Sequence, residues 1–321
     1  MGGFVDDDPP SSPTNNNEEL RIMAKIIQFM HPGSERPPSR LSGKLVPDSN
    51  PGYYHCRWAE ETHARKFLSV QGRYYDEAMK RESRMQNLRV WCEAEWDTRA
   101  RKLNPASEAV PRWEHSFLPA RPKLPEDGLN TDPYIFGKQF VYTNCRQDTK
   151  RSLQKLNAGD MILFGSLKKL NGEERFSFLL DTVFVVSPES TFLDDLPAAS
   201  FKSCLSSWYE QAVLAPLRSP YSPNKKSCVM YDYNYRLYLG ASFQKPFDGV
   251  FSFAPIRLEE CYPRMVLNSL SISSLECIRR DLSAQTALCT TEVPDVKPYW
   301  KKLMRECKRR GYVPGTFFQE P

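Results

Sequence analysis

Apolar positions in this chain fall mostly in short runs of strand length, bounded by Pro, Gly, Asn and Asp, rather than at long helical spacing. IMAKIIQFM (22–30) predicts a first strand, closed by His31, Pro32 and Gly33, because Pro removes the next donor and Gly permits a turn. LRVWCEAEW (88–96) reads as a strand whose alternation puts Trp91, Glu93 and Glu95 on one face and Val90, Cys92, Ala94 and Trp96 on the other. The most apolar part runs from Asn130 to Val186. In it FGKQFVYTN predicts a strand, and MILFGS (161–166), apolar on both faces, predicts a central one. Asn171-Gly172 is a strong hairpin signal leading into FSFLLDTVFVV (176–186). FDGVFSFAPI (247–256) adds a further strand.

Helical spacing is confined to three places. Residues 148–157 predict a short helix capped by Asp148, with Leu153 and Leu156 inward and Gly159 ending it in the left-handed conformation. Phe201, Leu205, Trp208, Tyr209 and Ala212 recur at helical spacing, as do residues in a last helix over 297–310. The predicted fold is therefore α+β, a mostly antiparallel, barrel-like central sheet flanked by helices. Residues 1–19, rich in Pro, Ser, Asn and Asp, predict a disordered tail, and residues 20–321 a single globular domain. Loops are expected over 34–52 and 97–129, the latter packed by Trp113 and Phe117.

Composition changes this picture little. The 321 residues suffice for a substantial core, and 40% apolar with 26% charged residues is ordinary for a soluble protein. A net charge of +5 permits a phosphate-bearing partner without demanding one. The nine cysteines form no CxxC pair and no secretory leader precedes them, so free thiols are expected. No apolar run approaches bilayer-spanning length, which predicts a soluble intracellular protein, cytoplasmic or nuclear, with no membrane partner.

Three acids in the apolar centre need an explanation. Asp132 precedes Pro133 in a shaped turn, Asp160 follows Gly159 and reads as a turn former, and Asp181 sits among Leu179, Leu180, Val183 and Phe184. An acid in such a strand is hydrogen-bonded structurally or faces a pocket. Glu93 and Glu95 would repel on one strand face unless a cation, a metal or a shared proton lay between them, and an open face is the expectation. The stretch 53–80 mixes Tyr53, Tyr54, Trp58, Tyr74 and Tyr75 with Arg57, Arg65, Lys66 and Arg73. That mixture suits base stacking beside phosphates, although half-buried aromatics edged by arginines are the simpler reading. Tyr231, Tyr233 and Tyr235 share a strand face in the same ambiguous way. Phosphate-loop, nucleophile-elbow, zinc-protease and zinc-deaminase signatures are absent from the sequence. Cys145 is a candidate nucleophile only if a histidine approaches it in space; a buried thiol is the simpler role.

HPGSE (31–35), WCEAEW (91–96), NTDPYIFG (130–137), VYTNC (141–145), AGDMILFGS (158–166), LDTVFVV (180–186), LYLGASFQKPFDGVFSFAP (237–255) and GYVPGTFFQEP (311–321) together resemble the nucleotide-modification-associated domains, linked to modification of DNA bases. AGDMILF is also similar to the opening of PUA, ASCH and EVE barrels, which bind RNA or modified bases. Two departures stand out. The family's WGEWE-like phrase is WCEAEW here, so Glu93 and Glu95 match only approximately, and an arginine of an LYRG-like phrase is replaced in LYLG, with Arg236 one position away.

The leading expectation is a nucleic-acid or modified-nucleotide binding or accessory module, its pocket lined by Asn130, Asp132, Asp160, Ser166 and Asp181 with His31 nearby, and with Tyr233 and Arg236 as further binding candidates. The alternative is an enzyme acting on a nucleotide or nucleobase, with Glu93, Glu95, Asp132 and Asp181 as acid/base groups or divalent-cation ligands. A protein-interaction domain with structural acids is the third. No cofactor and no oligomeric state is specified by the residues.

Overall fold

The computed structural model of the chain describes residues 23–31, 33–58, 64–104, 110–121, 131–147, 150–169, 176–192, 205–215, 236–267 and 288–321. In chain order the strands are β1 (Ala24–Met30), β2 (Ser34–Glu35), β3 (Arg40–Leu41), β4 (Lys44–Leu45), β5 (Tyr53–Cys56) and β6 (Ala64–Asp76). They continue as β7 (Arg81–Glu82), β8 (Gln86–Cys92), β9 (Thr98–Lys102), β10 (Trp113–Ser116), β11 (Val141–Tyr142) and β12 (Met161–Lys169). The last six are β13 (Phe176–Phe192), β14 (Arg236–Gly240), β15 (Ala254–Ile256), β16 (Met265–Leu267), β17 (Leu288–Val293) and β18 (Val313–Phe318).

Two sheets account for most of these strands. The first is seven-stranded in the order β11-β14-β13-β12-β1-β17, with β16 also on β13. Its centre is β12, whose residues 161–166 are all buried because it has β1 on one side and β13 on the other. The second, nine-stranded sheet is organised on the 13-residue β6, which pairs with β2, β7, β8, β10 and β18. A bridge between Val183 of β13 and Phe253 ties the sheets together over one continuous apolar core.

Among the described residues three pairings are parallel, β2 and β10 with β6 and β1 with β12, and the last of these positions the site. β1 runs parallel to β12, with Met30 opposite Gly165, so His31, where β1 ends, lies beside Ser166 inside β12, which runs on to Lys169. The His31 N–H continues the ladder onto Gly165 O at 2.8 Å. The register of β12 on β13 shifts between Phe164 and Gly165. A Cβ at Gly165 would lie 2.2 Å from Leu179 O. Gly165→Ala is therefore expected to destabilise the protein by about 1–3 kcal/mol through backbone displacement, read from the urea midpoint. An unchanged midpoint would show that β13 yields at no cost.

The described residues are strand-rich, so the α+β expectation holds in its β part, and the flanking helices shrink to little. Residues 148–157 give only a 3-10 turn, Arg151–Gln154, with Leu153 and Leu156 inward as expected and Gly159 at φ +88°. Ser207–Tyr209 starts a short helix that widens into a π turn at Glu210–Leu214. The last helix runs Lys297–Arg309 and packs Trp300, Leu303 and Cys307 inward. Long strand expectations are trimmed: FGKQFVYTN contributes only β11, and 247–256 only β15 plus isolated bridges. Conversely the loops expected at 34–52 and 97–129 contain β2 to β4 and β9 and β10, because strands this short and polar carry little apolar signal. Among the described residues no helix is long and apolar enough to cross a membrane. The disordered-tail expectation, the Asn171-Gly172 turn and the Asp148 cap lie outside the described residues.

Candidate active site: a cysteine, a histidine and a glutamate between the two sheets

Strand alternation through 88–96 fails at its end. β8 stops at Cys92, and Glu93, Ala94 and Glu95 follow in irregular backbone, with the two glutamates buried rather than on an open face. The segment is held by Lys66, fully buried on β6, whose ammonium donates to Ala94 O at 2.8 Å and to Trp96 O. Burial pulls Lys66 below its ordinary pKa, and the two carbonyls take two of its hydrogens. Glu95 also donates its backbone N–H to Thr131 Oγ1 at 2.9 Å, which joins this segment to the loop that carries Asp132 and Cys145.

Glu93 is thereby delivered to His31. Its Oε2 lies 2.7 Å from His31 Nδ1, and His31 Nε2 lies 2.6 Å from Cys145 Sγ. With Nδ1–H donated to the carboxylate, Nε2 carries the lone pair and faces the thiol, the arrangement in which imidazole acts as general base for a sulfur nucleophile. His31 and Cys145 each retain 6% exposure, so the three groups sit at the base of the surface rather than on it. Burial first, and then the nearby Asp132 and Glu93, push the Cys145 thiol well above its usual pKa. Sulfur therefore rests as the thiol, and its proton leaves only as attack proceeds.

Two arginines frame the acids. Arg65 Nη1 donates to the same Glu93 Oε2 at 2.8 Å, and its Nε donates to Asp181 Oδ2 at 2.8 Å. Arg264 closes on Asp181 from the other side, Nε to Oδ1 at 2.7 Å and Nη2 to Oδ2 at 2.6 Å, and reaches Gly33 O through Nη1 at 2.9 Å. Burial opposes both charges. For Arg65, Glu93 and Asp181 outweigh it and hold the guanidinium firmly charged, whereas Arg264 is left below its ordinary value. Gly33 must be glycine-like in size: a Cβ there would lie 2.2 Å from Ser166 Oγ and 2.7 Å from Arg264 Nη1. Ser166 Oγ is buried without a hydrogen-bond partner and so has donor capacity left beside His31.

Asp132 holds the cysteine loop. Its carboxylate accepts from the N–H groups of Thr143 at 3.2 Å, Asn144 at 2.8 Å and Cys145 at 2.6 Å, after a cis Asp132–Pro133 bond. Burial pushes Asp132 up to about 7 against these three donors, with Glu93 adding to the rise. Between the ordinary carboxylate range and that value the folded chain keeps a proton that the unfolded chain has lost. Stability is thus expected to fall as pH rises from about 4 to about 7 and to level off above, with the slope reduced in Asp132→Asn. Urea midpoints across that range test this; parallel curves for the two proteins would refute it.

Of the sequence-level candidates, His31, Glu93, Asp132, Ser166 and Asp181 converge here. Glu95 is buried beside them, its backbone N–H held by Thr131 Oγ1. Asp160 does not converge: it immediately precedes β12, away from Ser166, and accepts from Lys25 N and Asn157 N as a turn former should. Arg236 opens β14, where its backbone exchanges hydrogen bonds with the Gln147 side chain. Asn130 and Tyr233 lie outside the described residues. Among those described, no three His, Cys, Asp or Glu side chains are grouped to hold a metal ion, because the acids turn to arginines instead. Sequence reasoning missed Arg264 and misread Arg65 and Lys66 as surface cations; all three are buried. Their only signal was a position beside strand residues.

No family model, no curated protein and no solved structure matches this chain.

Proposed function

We propose that the protein is an enzyme that acts on a nucleotide or nucleobase through Cys145 as nucleophile, His31 as general base and Glu93 as the group that orients the imidazole. The observation that carries this reading is the unbroken series Cys145 Sγ, His31 Nε2, His31 Nδ1 and Glu93 Oε2, with contacts of 2.6 and 2.7 Å just past the end of β1. In the proposed reaction Sγ bonds to an electrophilic carbon of the substrate while its proton passes to His31 Nε2. The departing group then takes that proton, and water, deprotonated by the same nitrogen, cleaves the sulfur–carbon bond and regenerates the thiol. The N–H of Cys145 already serves Asp132. Charge developing on the substrate would therefore turn to Ser166 Oγ–H, the buried hydroxyl with capacity left.

The substrate class rests on the resemblance to nucleotide-modification-associated domains and on the net charge of +5. A binding or accessory role in base modification, without turnover, is the second reading. It is favoured by the near-complete burial of Cys145 and by a cationic, aromatic sheet face, where Arg99 stacks on Tyr53 at 4.9 Å and Arg101 lies one row along. The test is a panel of single-stranded and duplex nucleic acid and of nucleosides, modified and unmodified, at two salt concentrations. Binding and intact mass are followed for the wild type and for Cys145→Ser. Turnover or a covalent adduct that disappears in Cys145→Ser supports the enzyme. Salt-dependent binding without either leaves the accessory module. A flat panel removes both and leaves a protein-interaction domain.

A further inference from the structure

A second concave site lies between the end of β6, the loop before β15 and one face of the Lys297–Arg309 helix, and it does not depend on Cys145. Its volume is about 580 Å³, within the range of small-molecule sites. Tyr75, Phe243, Phe251 and Trp300 line it. Tyr75 and Phe243 are half-buried and pack at 5.2 Å with 37° between their planes, so each keeps ring surface towards the cleft. Phe251 and Trp300 close the back at 4.9 Å, and Trp300 Nε1 donates to Phe251 O at 2.8 Å, which fixes the indole.

Two cations complete the lining, Lys301 and Arg305, one helical turn apart on the same side. Charges around them are matched: Lys297 to Asp248 at 3.1 Å, Lys308 to Glu77 at 2.8 Å, and Arg309 and Arg310 to Glu306. Glu77, the acid in the lining, is thus engaged by Lys308. Lys301 and Arg305 have no ion-pair partner among the described residues. Like charges at i and i+4 repel, so on a bare surface the pair would be slightly unfavourable, and an anion held between them reverses the sign.

We infer that this cleft binds a small flat aromatic ring carrying an anionic group, phosphate or carboxylate, with the ring against Tyr75 and Phe243 and the anion between Lys301 and Arg305. Stacking and charge act on one ligand at once, so neither half should suffice alone.

The test is calorimetric titration of the full chain with adenosine monophosphate, adenosine, inorganic phosphate and indole-3-acetate. At least one of the two aromatic anions is expected to bind at least about tenfold more tightly than adenosine or phosphate. Preference for the nucleotide assigns the anion as phosphate, and preference for the indole acid assigns it as carboxylate. Lys301→Glu/Arg305→Glu, both exposed and safe for folding, is expected to weaken that binding by about tenfold or more. Phe243→Ala is expected to weaken the aromatic anion while leaving phosphate unchanged. Absence of binding by both aromatic anions, or equal affinity in the charge-reversed variant, overturns the assignment. Cys145→Ser should bind as the wild type does, so failure here is separable from failure of the thiol reading.

Discussion

Asp181→Ala is expected to lower stability by about 3–5 kcal/mol, the loss typical of leaving buried charges uncompensated. Both oxygens of this carboxylate are engaged, Oδ1 by Arg264 and Oδ2 by Arg65 and Arg264, at 2.6 to 2.8 Å. Removing it leaves two buried guanidinium groups with, among the described residues, Glu93 as the remaining ion-pair partner, on Arg65. The same logic makes the effect conditional. In Asp181→Ala/Arg264→Met one charge goes with its partner, so part of the loss should return. Denaturant midpoints of the single and double variants measure both. A single-variant loss below about 1 kcal/mol would mean that the pair is screened as a surface pair is.

The second large effect is chemical. In His31→Gln, alkylation of Cys145 by iodoacetamide near neutral pH is expected to slow about 100-fold, the lower range of a positioned general base. Peptide mapping separates Cys145 from Cys289, a half-exposed thiol that should alkylate equally in both proteins. Glu93→Gln should give a smaller loss, because Glu93 acts only through the imidazole, and it also removes a partner of Arg65. Equal Cys145 rates in wild type and His31→Gln would make the contact structural.

Much of the scaffold was legible from pattern. MILFGS is apolar on both faces and became β12 at the centre of a sheet, and the Lys297–Arg309 helix announced itself by periodicity and by Pro298 in its first turn. Asp160 was readable as a turn former because one of its carboxylate oxygens takes a local donor, the N–H of Asn157, although the other reaches Lys25 N on β1. The candidate site was only half legible. Asp132 and Asp181 stood out as acids in apolar surroundings, but what they do depends on partners far away in the chain: Asp181 on Arg65 and Arg264, and Glu93 on His31. Arg65 looks like a surface cation in sequence because nothing local shows that its strand is covered on both faces. Alternation misled at Glu93 because it assumes that a strand continues, and β8 ends one residue earlier. Cys145 could not be raised above a buried thiol without knowing that His31, 114 residues away, meets it.

The pH profile of Cys145 alkylation tests the central claim most directly. If His31 is the base, the wild-type rate exceeds that of His31→Gln throughout the neutral range, and the two converge only where hydroxide itself draws off the thiol proton. A rate that climbs in step with hydroxide to about pH 9, identically in wild type and His31→Gln, is the behaviour of an unassisted buried thiol and would contradict it.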